Sequence, residues 1–157
     1  MVRAFFYDTW AFVALANTAD PDHAAAESLD RELELKGYAA TTSDYVLDET
    51  LTLLHLVAGP RIALDFLNLF ESRLAGEELM LLEVNSERRN RAVDLFRRIA
   101  PKVPRISFTD CTSFSLMQEL GIGLAFTADA HFRAAGRGIH PLFARKGKQL
   151  RLLLPES

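Results

Sequence analysis

Three aspartates follow short apolar runs that lie far apart in the chain. Asp8 follows "AFFY", Asp110 follows "ISFT" and Asp129 follows "LAFTA". If these runs are strands of one open parallel sheet, their carboxyl ends lie at the same edge, where such sheets bind ligands. A single aspartate after a strand is usually a helix cap or a turn residue. Three aspartates in equivalent positions predict a shared acidic site.

A fourth acid, Glu49, falls on the apolar side of a predicted helix. At about 100° per residue, the apolar side chains of residues 43–58 fill one broad arc, and Glu49 lies in it beside Leu53 and Leu56. Its neighbour Asp48 falls on the opposite, polar side. A carboxylate that faces a core needs a cation or hydrogen-bond donors to stay ionised. Two partners are therefore open for Glu49: a buried arginine or a bound metal ion.

Asp110 is placed in a similar way on the predicted helix 110–120. It projects at the first turn from the side that Phe114 and Met117 mark as inward. Helix capping by Thr109 or by Asp110 itself would explain the residue type, because an oxygen there accepts from free backbone N–H groups. Capping does not explain why the carboxylate faces inward.

Four carboxylates that converge in one pocket repel one another unless a cation neutralises them. Ligand sets made only of oxygen suit Mg²⁺ or Mn²⁺ rather than zinc. One or two such ions generate hydroxide and orient a phosphodiester, so the predicted chemistry is phosphodiester hydrolysis. The predicted metal ligands and catalytic residues are Asp8, Glu49, Asp110 and Asp129.

The elements that must position these acids alternate between apolar runs and helical patterns, which is typical of an α/β fold. The runs do not alternate in polarity, which indicates a central parallel sheet flanked by helices on both faces. The strands are predicted at 2–7, 38–42, 78–84, 123–127 and 150–154, with 105–108 as a short strand or an extended approach. The helices are predicted at about 10–16, 21–36, 43–58, 61–74, 86–99 (with Ser86 as the cap), 110–120 and 129–135.

Length and composition predict one soluble cytoplasmic domain. The chain has 157 residues, 49% of them hydrophobic and 25% charged, which fits a single domain over residues 1–157. No apolar run is long enough to cross a membrane, and the N-terminus does not resemble a secretory signal. The single cysteine, Cys111, excludes an internal disulfide and suits a reducing compartment.

The charge is unevenly distributed. The net charge of −3 does not indicate nucleic-acid binding by itself, yet residues 131–157 hold six Lys/Arg against one acid. Two interpretations stay open for this basic segment: it contacts a polyanion bound beside the acidic site, or it is a solvated tail. Arg133 is the basic residue nearest to a predicted acid.

Four segments together resemble the PIN-domain nucleases, and within them the VapC-type toxins of toxin–antitoxin pairs. They are "FYDTWAFVAL", "SDYVLDETLTLL", "SFTDCTSFSLMQELGI" and "LAFTADAHFRAAG", in the family's order and across nearly the whole chain. The resemblance implies a Mg²⁺- or Mn²⁺-dependent endoribonuclease that leaves a 5′-phosphate. It also implies a homodimer that a cognate antitoxin protein inhibits.

The family's acidic positions match this chain residue by residue at Asp8, Glu49 (in "DET"), Asp110 and Asp129. Thr9 matches the hydroxyl residue that follows the first aspartate and helps to hold the cluster, although it is equally well placed to cap the next helix. Thr127 and Ser43 are weaker candidates for holding the cluster. Two interpretations stay open for His131, a contact with the scissile phosphate and a structural role, of which the structural role is favoured.

Two alternatives remain beside a toxin nuclease. One is a non-catalytic PIN-like module that binds protein or RNA, which the full set of four acids disfavours. The other is a PIN nuclease that processes RNA without an antitoxin. Aspartate-dependent phosphotransferases also begin with a strand that ends in Asp, but they need a second Asp two residues later, where this chain has Trp10.

Overall fold

The computed structural model describes residues 3–134, 136 and 138–155. Its centre is a parallel five-stranded sheet with the strand order β3-β2-β1-β4-β5. β1 is the middle strand and pairs with β2 on one side and with β4 on the other. The five strands are β1 (Ala4–Tyr7), β2 (Ala39–Ser43), β3 (Leu79–Leu82), β4 (Leu124–Phe126) and β5 (His140–Pro141).

Seven helices lie within the described residues. They are α1 (Thr9–Ala16), α2 (His23–Leu35), α3 (Asp44–Ala58), α4 (Pro60–Ala75), α5 (Ser86–Ile99), α6 (Phe108–Leu120) and α7 (His131–Ala134). Local sequence explains several of their ends. Ser43 caps α3 by accepting from the Val46 N–H at 3.1 Å, and Gly59, at φ 90°, separates α3 from Pro60 at the start of α4. None of these helices is long and apolar enough to cross a membrane.

Both faces of the sheet are covered, which confirms the predicted α/β class. On one face, Tyr7 of β1 stacks on Phe12 of α1 at 4.6 Å between ring centroids and contacts Arg73 of α4. Phe6 projects from the opposite face and is also fully buried. A strand buried on both faces explains why its sequence does not alternate between polar and apolar residues.

The C-terminal part differs from the prediction. The run predicted as a strand at 150–154 forms β7 (Gln149–Leu152), which pairs antiparallel with β6 (Phe143–Lys146) in a separate two-stranded sheet. Phe143 docks this hairpin by donating its backbone N–H to the Thr127 carbonyl at 3.0 Å and by contacting Trp10. Neither β5 nor β6 was predicted, because both are short and their sequences carry no clear periodicity.

Of the two forms predicted for 105–108, the structure shows the extended approach: residues 105–107 form no strand, Ser107 is extended, and α6 starts at Phe108. The cap predicted for α5 is wrong. α5 is capped by Asn85, whose side chain accepts from the Arg88 N–H at 2.9 Å, whereas Ser86 is the first helical residue. Residue 2 of the first predicted strand and residue 135 of the last predicted helix lie outside the described residues.

The apolar arc predicted for α3 is wider than the face that the helix buries. Val46, Thr50 and Leu54 are buried at i, i+4 and i+8, whereas Leu56 is 74% exposed and Val57 is 57% exposed. A helical wheel marks which residues share a side, but only the neighbouring elements decide how much of that side is covered. Glu49 is half-buried and Asp48 is exposed, as expected.

Candidate metal centre

Asp8 lies directly after β1 and is 4% exposed. Its Oδ2 accepts a hydrogen bond from the Thr127 hydroxyl at 2.7 Å. Burial raises the pKa of Asp8 to about 7, and the nearby carboxylates of Asp110 and Asp129 act in the same direction. The hydrogen bonds from Thr127 and from the Thr9 backbone offset part of this effect. A carboxylate at the end of the central strand is therefore held in place and crowded by other acids.

Asp110 is the third residue of α6 and forms a capping box with Ser107. The Ser107 N–H donates to Asp110 Oδ2 at 3.2 Å, and the Asp110 N–H donates to Ser107 Oγ at 2.9 Å. The cap is thus Ser107, not Thr109 or Asp110, and no strand precedes Asp110. The reciprocal bonds pin the carboxylate at the helix start. Burial, together with the charges of Asp129 and Glu49, raises its pKa to about 6 against the hydrogen bonds from Ser107.

Asp129 lies in the loop after β4, and Thr127 joins it to Asp8. The Thr127 hydroxyl that donates to Asp8 also accepts from the Asp129 N–H at 3.0 Å. Asp129 Oδ1 accepts from the backbone N–H of His131 at 2.9 Å. The predicted role for Thr127 is in keeping with these contacts, because one hydroxyl fixes the position of two acids.

His131, interpreted from the sequence as structural, lies in the same cluster. Its Nδ1 is 3.2 Å from Asp129 Oδ1 and 3.8 Å from Asp110 Oδ2. One ligand atom each from Asp110, Asp129 and His131 lie within 4.8 Å of one another. The sequence contains the histidine two residues after Asp129, but nothing in the sequence shows that its ring turns toward Asp110.

Glu49 completes the acidic lining of the cleft from α3. It lines the same cavity as the three aspartates, and its charge contributes to the raised pKa of Asp110. Throughout the described ranges, no lysine or arginine forms an ion pair with Asp8, Glu49, Asp110 or Asp129. The buried arginine left open as a partner for Glu49 is therefore not found there.

Thr9 and Ser43 differ in what they do. Thr9 is the first residue of α1 rather than its cap. It lines the cleft, and its buried hydroxyl oxygen has no hydrogen-bond partner among the described residues. An unpaired buried hydroxyl beside four acids fits a site that is completed by a ligand. Ser43, by contrast, uses its hydroxyl to cap α3.

The cleft has a volume of about 460 Å³ and carries cationic side chains beside the acids. Arg105 and Arg145 both line it, and Arg145 also forms an ion pair with Asp22 before α2. The sequence indicated Arg145 only as part of the basic C-terminal segment, because hairpin docking is a long-range event.

These donors fit a hard divalent cation. Carboxylate oxygens, one imidazole nitrogen and an unpaired hydroxyl face one cavity. The raised pKa values of Asp8 and Asp110 show that burial and mutual repulsion disfavour their ionised forms. A bound divalent ion reverses both effects, because it neutralises the charges and replaces lost hydration.

Comparisons with known proteins give the family. No protein-family model matches the chain. The 23S rRNA-specific endonuclease VapC20 of Mycobacterium tuberculosis is 33% identical over 131 residues, which cover 83% of this chain and 93% of that protein.

Solved structures agree with that relationship. The crystal structure of Mycobacterium tuberculosis VapC20, described as a sarcin–ricin loop cleaving toxin, matches with a TM-score of 0.71 and 30% identity over 85% of this chain and 95% of that chain. VapBC2 from Rickettsia felis, bound to a fragment of promoter DNA, shares the fold with a TM-score of 0.65 and 17% identity over 88% of this chain and 96% of that chain. With its parallel sheet, its acidic cleft and this similarity, the chain belongs to the VapC family of PIN-domain endoribonuclease toxins.

Proposed function

We propose that this chain hydrolyses RNA phosphodiester bonds with divalent ions held by Asp8, Glu49, Asp110 and Asp129. The observation that carries the proposal is that four carboxylates line one cleft in which no lysine or arginine of the described part of the chain pairs with them. Without a cation the four carboxylates repel one another. With a bound divalent ion they form a site that can catalyse phosphodiester hydrolysis. A bound Mg²⁺ or Mn²⁺ supplies charge neutralisation at the phosphate and a more acidic water.

The chain's own residues keep the acids rigid. Thr127 fixes Asp8 and Asp129, and the Ser107 backbone N–H fixes Asp110. Such preorganisation matters because a site aimed at developing charge need not reorganise during the reaction. The lone cysteine, Cys111, is buried in α6, which is in keeping with action in the reducing cytoplasm.

The substrate that we propose is ribosomal RNA. The relative that shares 33% identity is named for its action on 23S rRNA, and its crystal structure is described as that of a toxin that cleaves the sarcin–ricin loop. The sarcin–ricin stem-loop is therefore the first oligonucleotide to test, with transfer RNA as the comparison.

The test is an RNA cleavage assay with purified protein. We expect cleavage in Mg²⁺ or Mn²⁺, its loss in EDTA, and its loss in Asp110→Asn. Glu49→Gln and Asp48→Asn form a matched pair on one helix, because only Glu49 faces the cleft. Glu49→Gln should cleave slowly and Asp48→Asn normally. Cleavage that persists in EDTA or in Asp110→Asn contradicts the proposal, and full-length RNA under every condition favours a non-catalytic binding module.

A cognate antitoxin is the proposed protein partner. The structural relative from Rickettsia felis, VapBC2, was solved as a complex with its antitoxin, bound to promoter DNA. Co-purification of this chain with the product of a neighbouring small gene, and loss of RNA cleavage in that complex, are the expected results. An active toxin in the presence of that product contradicts the pairing.

We also propose a homodimer. The packed helices α3 and α4 leave Leu56, Val57 and Leu64 between 57% and 74% exposed, and exposed apolar patches of this kind often mark contact surfaces. Sedimentation of the purified chain should give a dimer that Leu56→Glu converts to a monomer. A parent chain that sediments as a monomer at micromolar concentration excludes it.

A further inference from the structure

We infer that His131 is a direct nitrogen ligand of the divalent ion, so that the centre prefers Mn²⁺ to Mg²⁺. This inference rests on the proposed metal-dependent function and adds a ligand that the all-carboxylate arrangement lacks. It follows from where the His131 ring lies relative to two acids that come from different elements.

The distances fit neighbouring ligands of one ion. His131 Nδ1 lies 3.2 Å from Asp129 Oδ1 and 3.8 Å from Asp110 Oδ2, and one donor atom from each residue lie within 4.8 Å of one another. Ligand atoms about 2.1 Å from a shared ion and at right angles around it lie about 3 Å apart. The three side chains therefore need little movement to meet at one cation.

Packing holds the ring in this position. Phe132, the next residue, is fully buried and meets Phe114 of α6 edge-on at 4.8 Å between ring centroids. This contact joins the short helix α7 to the helix that carries Asp110. The backbone N–H of His131 also donates to Asp129 Oδ1 at 2.9 Å. His131 is thus anchored to both acids, and its side chain is still 28% exposed, so an ion can reach it.

A second observation also points to a missing ligand at this cleft. The Thr9 hydroxyl is buried there without a hydrogen-bond partner among the described residues. An ion or its bound water would satisfy that oxygen. The site therefore offers carboxylate and hydroxyl oxygens together with one imidazole nitrogen.

The donor set decides the metal preference. Mg²⁺ favours oxygen ligands and gives up its water reluctantly, whereas imidazole is a normal ligand for transition metals. An imidazole added to the carboxylates thus favours Mn²⁺ more than the carboxylates alone would. If His131 only donates a hydrogen bond to Asp129, its removal should weaken both metals equally.

The decisive measurement is electron spin-echo envelope modulation on the full chain loaded with Mn²⁺. We expect a ¹⁴N modulation from a directly bound imidazole in the parent protein and its absence in His131→Asn. His55 is the matched control, since it is exposed on α3 and does not line the cleft. His55→Asn should keep the nitrogen signal.

Calorimetric titration gives an independent readout. His131→Asn should weaken Mn²⁺ binding by about tenfold and Mg²⁺ binding by less than about threefold. His131→Gln provides a second substitution, and circular dichroism is used to check that both variants are folded.

Each outcome is informative. A parent protein that binds Mn²⁺ stoichiometrically without a ¹⁴N signal overturns the role of His131 and leaves the carboxylate site intact. A nitrogen signal that survives in His131→Asn also overturns it. A parent protein that binds no divalent ion overturns both this inference and the proposed metal-dependent function, so the two failures are distinguishable.

Discussion

Tyr7, the last residue of β1, and Asp8, which follows it, lie in two different acidic environments. Tyr7 donates a hydrogen bond to Asp30 of α2, and Arg73 of α4 donates to the Tyr7 hydroxyl at 3.2 Å and lies over its ring. Asp8, the next residue in the chain, instead faces the carboxylates of the cleft. In an extended chain, successive side chains point to opposite sides, so Tyr7 and Asp8 contact different groups of residues.

Burial raises the pKa of Asp30 as it does that of Asp8, and hydrogen bonds lower both, but a nearby cation acts only on Asp30. At Asp30, the Tyr7 hydrogen bond and the charge of Arg73 favour the ionised form. At Asp8, the charges of Asp110 and Asp129 disfavour it. Asp30 thus has an arginine nearby that favours its ionised form, whereas no arginine or lysine among the described residues pairs with the four acids of the cleft. This difference separates a structural acid from a candidate metal ligand.

The largest expected effect is on catalysis. Asp8→Asn should lower RNA cleavage by at least about 100-fold, because it removes charge that holds the ion against the phosphate. Asp30→Asn should leave cleavage of the folded protein within about twofold. Single-turnover cleavage of the same oligonucleotide measures both. Equal losses in the two variants would erase the distinction between the two regions.

The next effect is on stability, in the opposite region. Arg73→Ala should lower the free energy of unfolding by about 2 kcal/mol, because it leaves Asp30 and Tyr7 without their cation in a half-buried setting. Urea denaturation measures this loss of stability. The control is Arg97→Ala, which replaces an exposed side chain of α5. An unchanged denaturation midpoint for Arg73→Ala would mean that the hydrogen bonds among Arg73, Tyr7 and Asp30 do not stabilise the fold.

A smaller effect on the free energy of unfolding should appear when the pH changes in the absence of metal ions. The pKa of Asp8 is raised from 3.8 to about 7 and that of Asp110 from 3.8 to about 6, so the folded state binds more protons than the unfolded state between these values. Their contribution to stability is therefore full below about pH 4 and is lost as pH rises through 6 to 7.

In EDTA at pH 8, Asp8→Asn should stabilise the chain by about 1 kcal/mol, and the gain should shrink at pH 5. Saturating Mn²⁺ should reverse the gain, because only ionised carboxylates bind the ion. Thermal unfolding at the two pH values measures all three conditions. A destabilised Asp8→Asn in EDTA at pH 8 would show that the acids are not crowded.

The smallest effect concerns an intermediate case, the Arg145–Asp22 pair. Arg145 lines the cleft, and its ion-pair partner Asp22 lies outside the acidic cluster. Its charge is therefore not neutralised by the four acids and can attract an RNA backbone beside the metal ions. Arg145→Ala should raise KM about threefold with kcat unchanged, and the salt dependence of KM should weaken. Lys36→Ala, at the C-terminal end of α2 and paired with Glu32, is the control. A change in kcat instead of KM would place Arg145 in the chemical step.

Several residues of the site could be predicted from the sequence. Asp8 and Asp129 were predicted because apolar runs and the polar residue that ends them are local patterns. Glu49 was separated from Asp48 by helical periodicity alone, although the arc that surrounds it is more exposed than expected. Asp110 was predicted partly on a wrong ground, since no strand precedes it. The Ser107 capping box, which holds it instead, is readable as serine followed three residues later by an acid.

Other parts were beyond the sequence because they depend on distant contacts. The position of His131 follows from the packing of Phe132 on Phe114. The place of Arg145 follows from a hairpin that docks through Phe143 onto Thr127 and Trp10. Neither contact leaves a periodic signal, because periodicity reports only neighbours along the same element.

The sequence by itself determined the order of the helices and of β1 to β4, the parallel α/β class and the candidate acids, because propensity, periodicity and capping act over a few residues. The tertiary structure decided which acids have a cation beside them. Asp30 and Arg73, 43 positions apart in the chain, both hydrogen-bond to the Tyr7 hydroxyl, whereas no arginine or lysine pairs with Asp8 among the described residues. Charge compensation is a contact in space, so only the folded chain can show where it is missing.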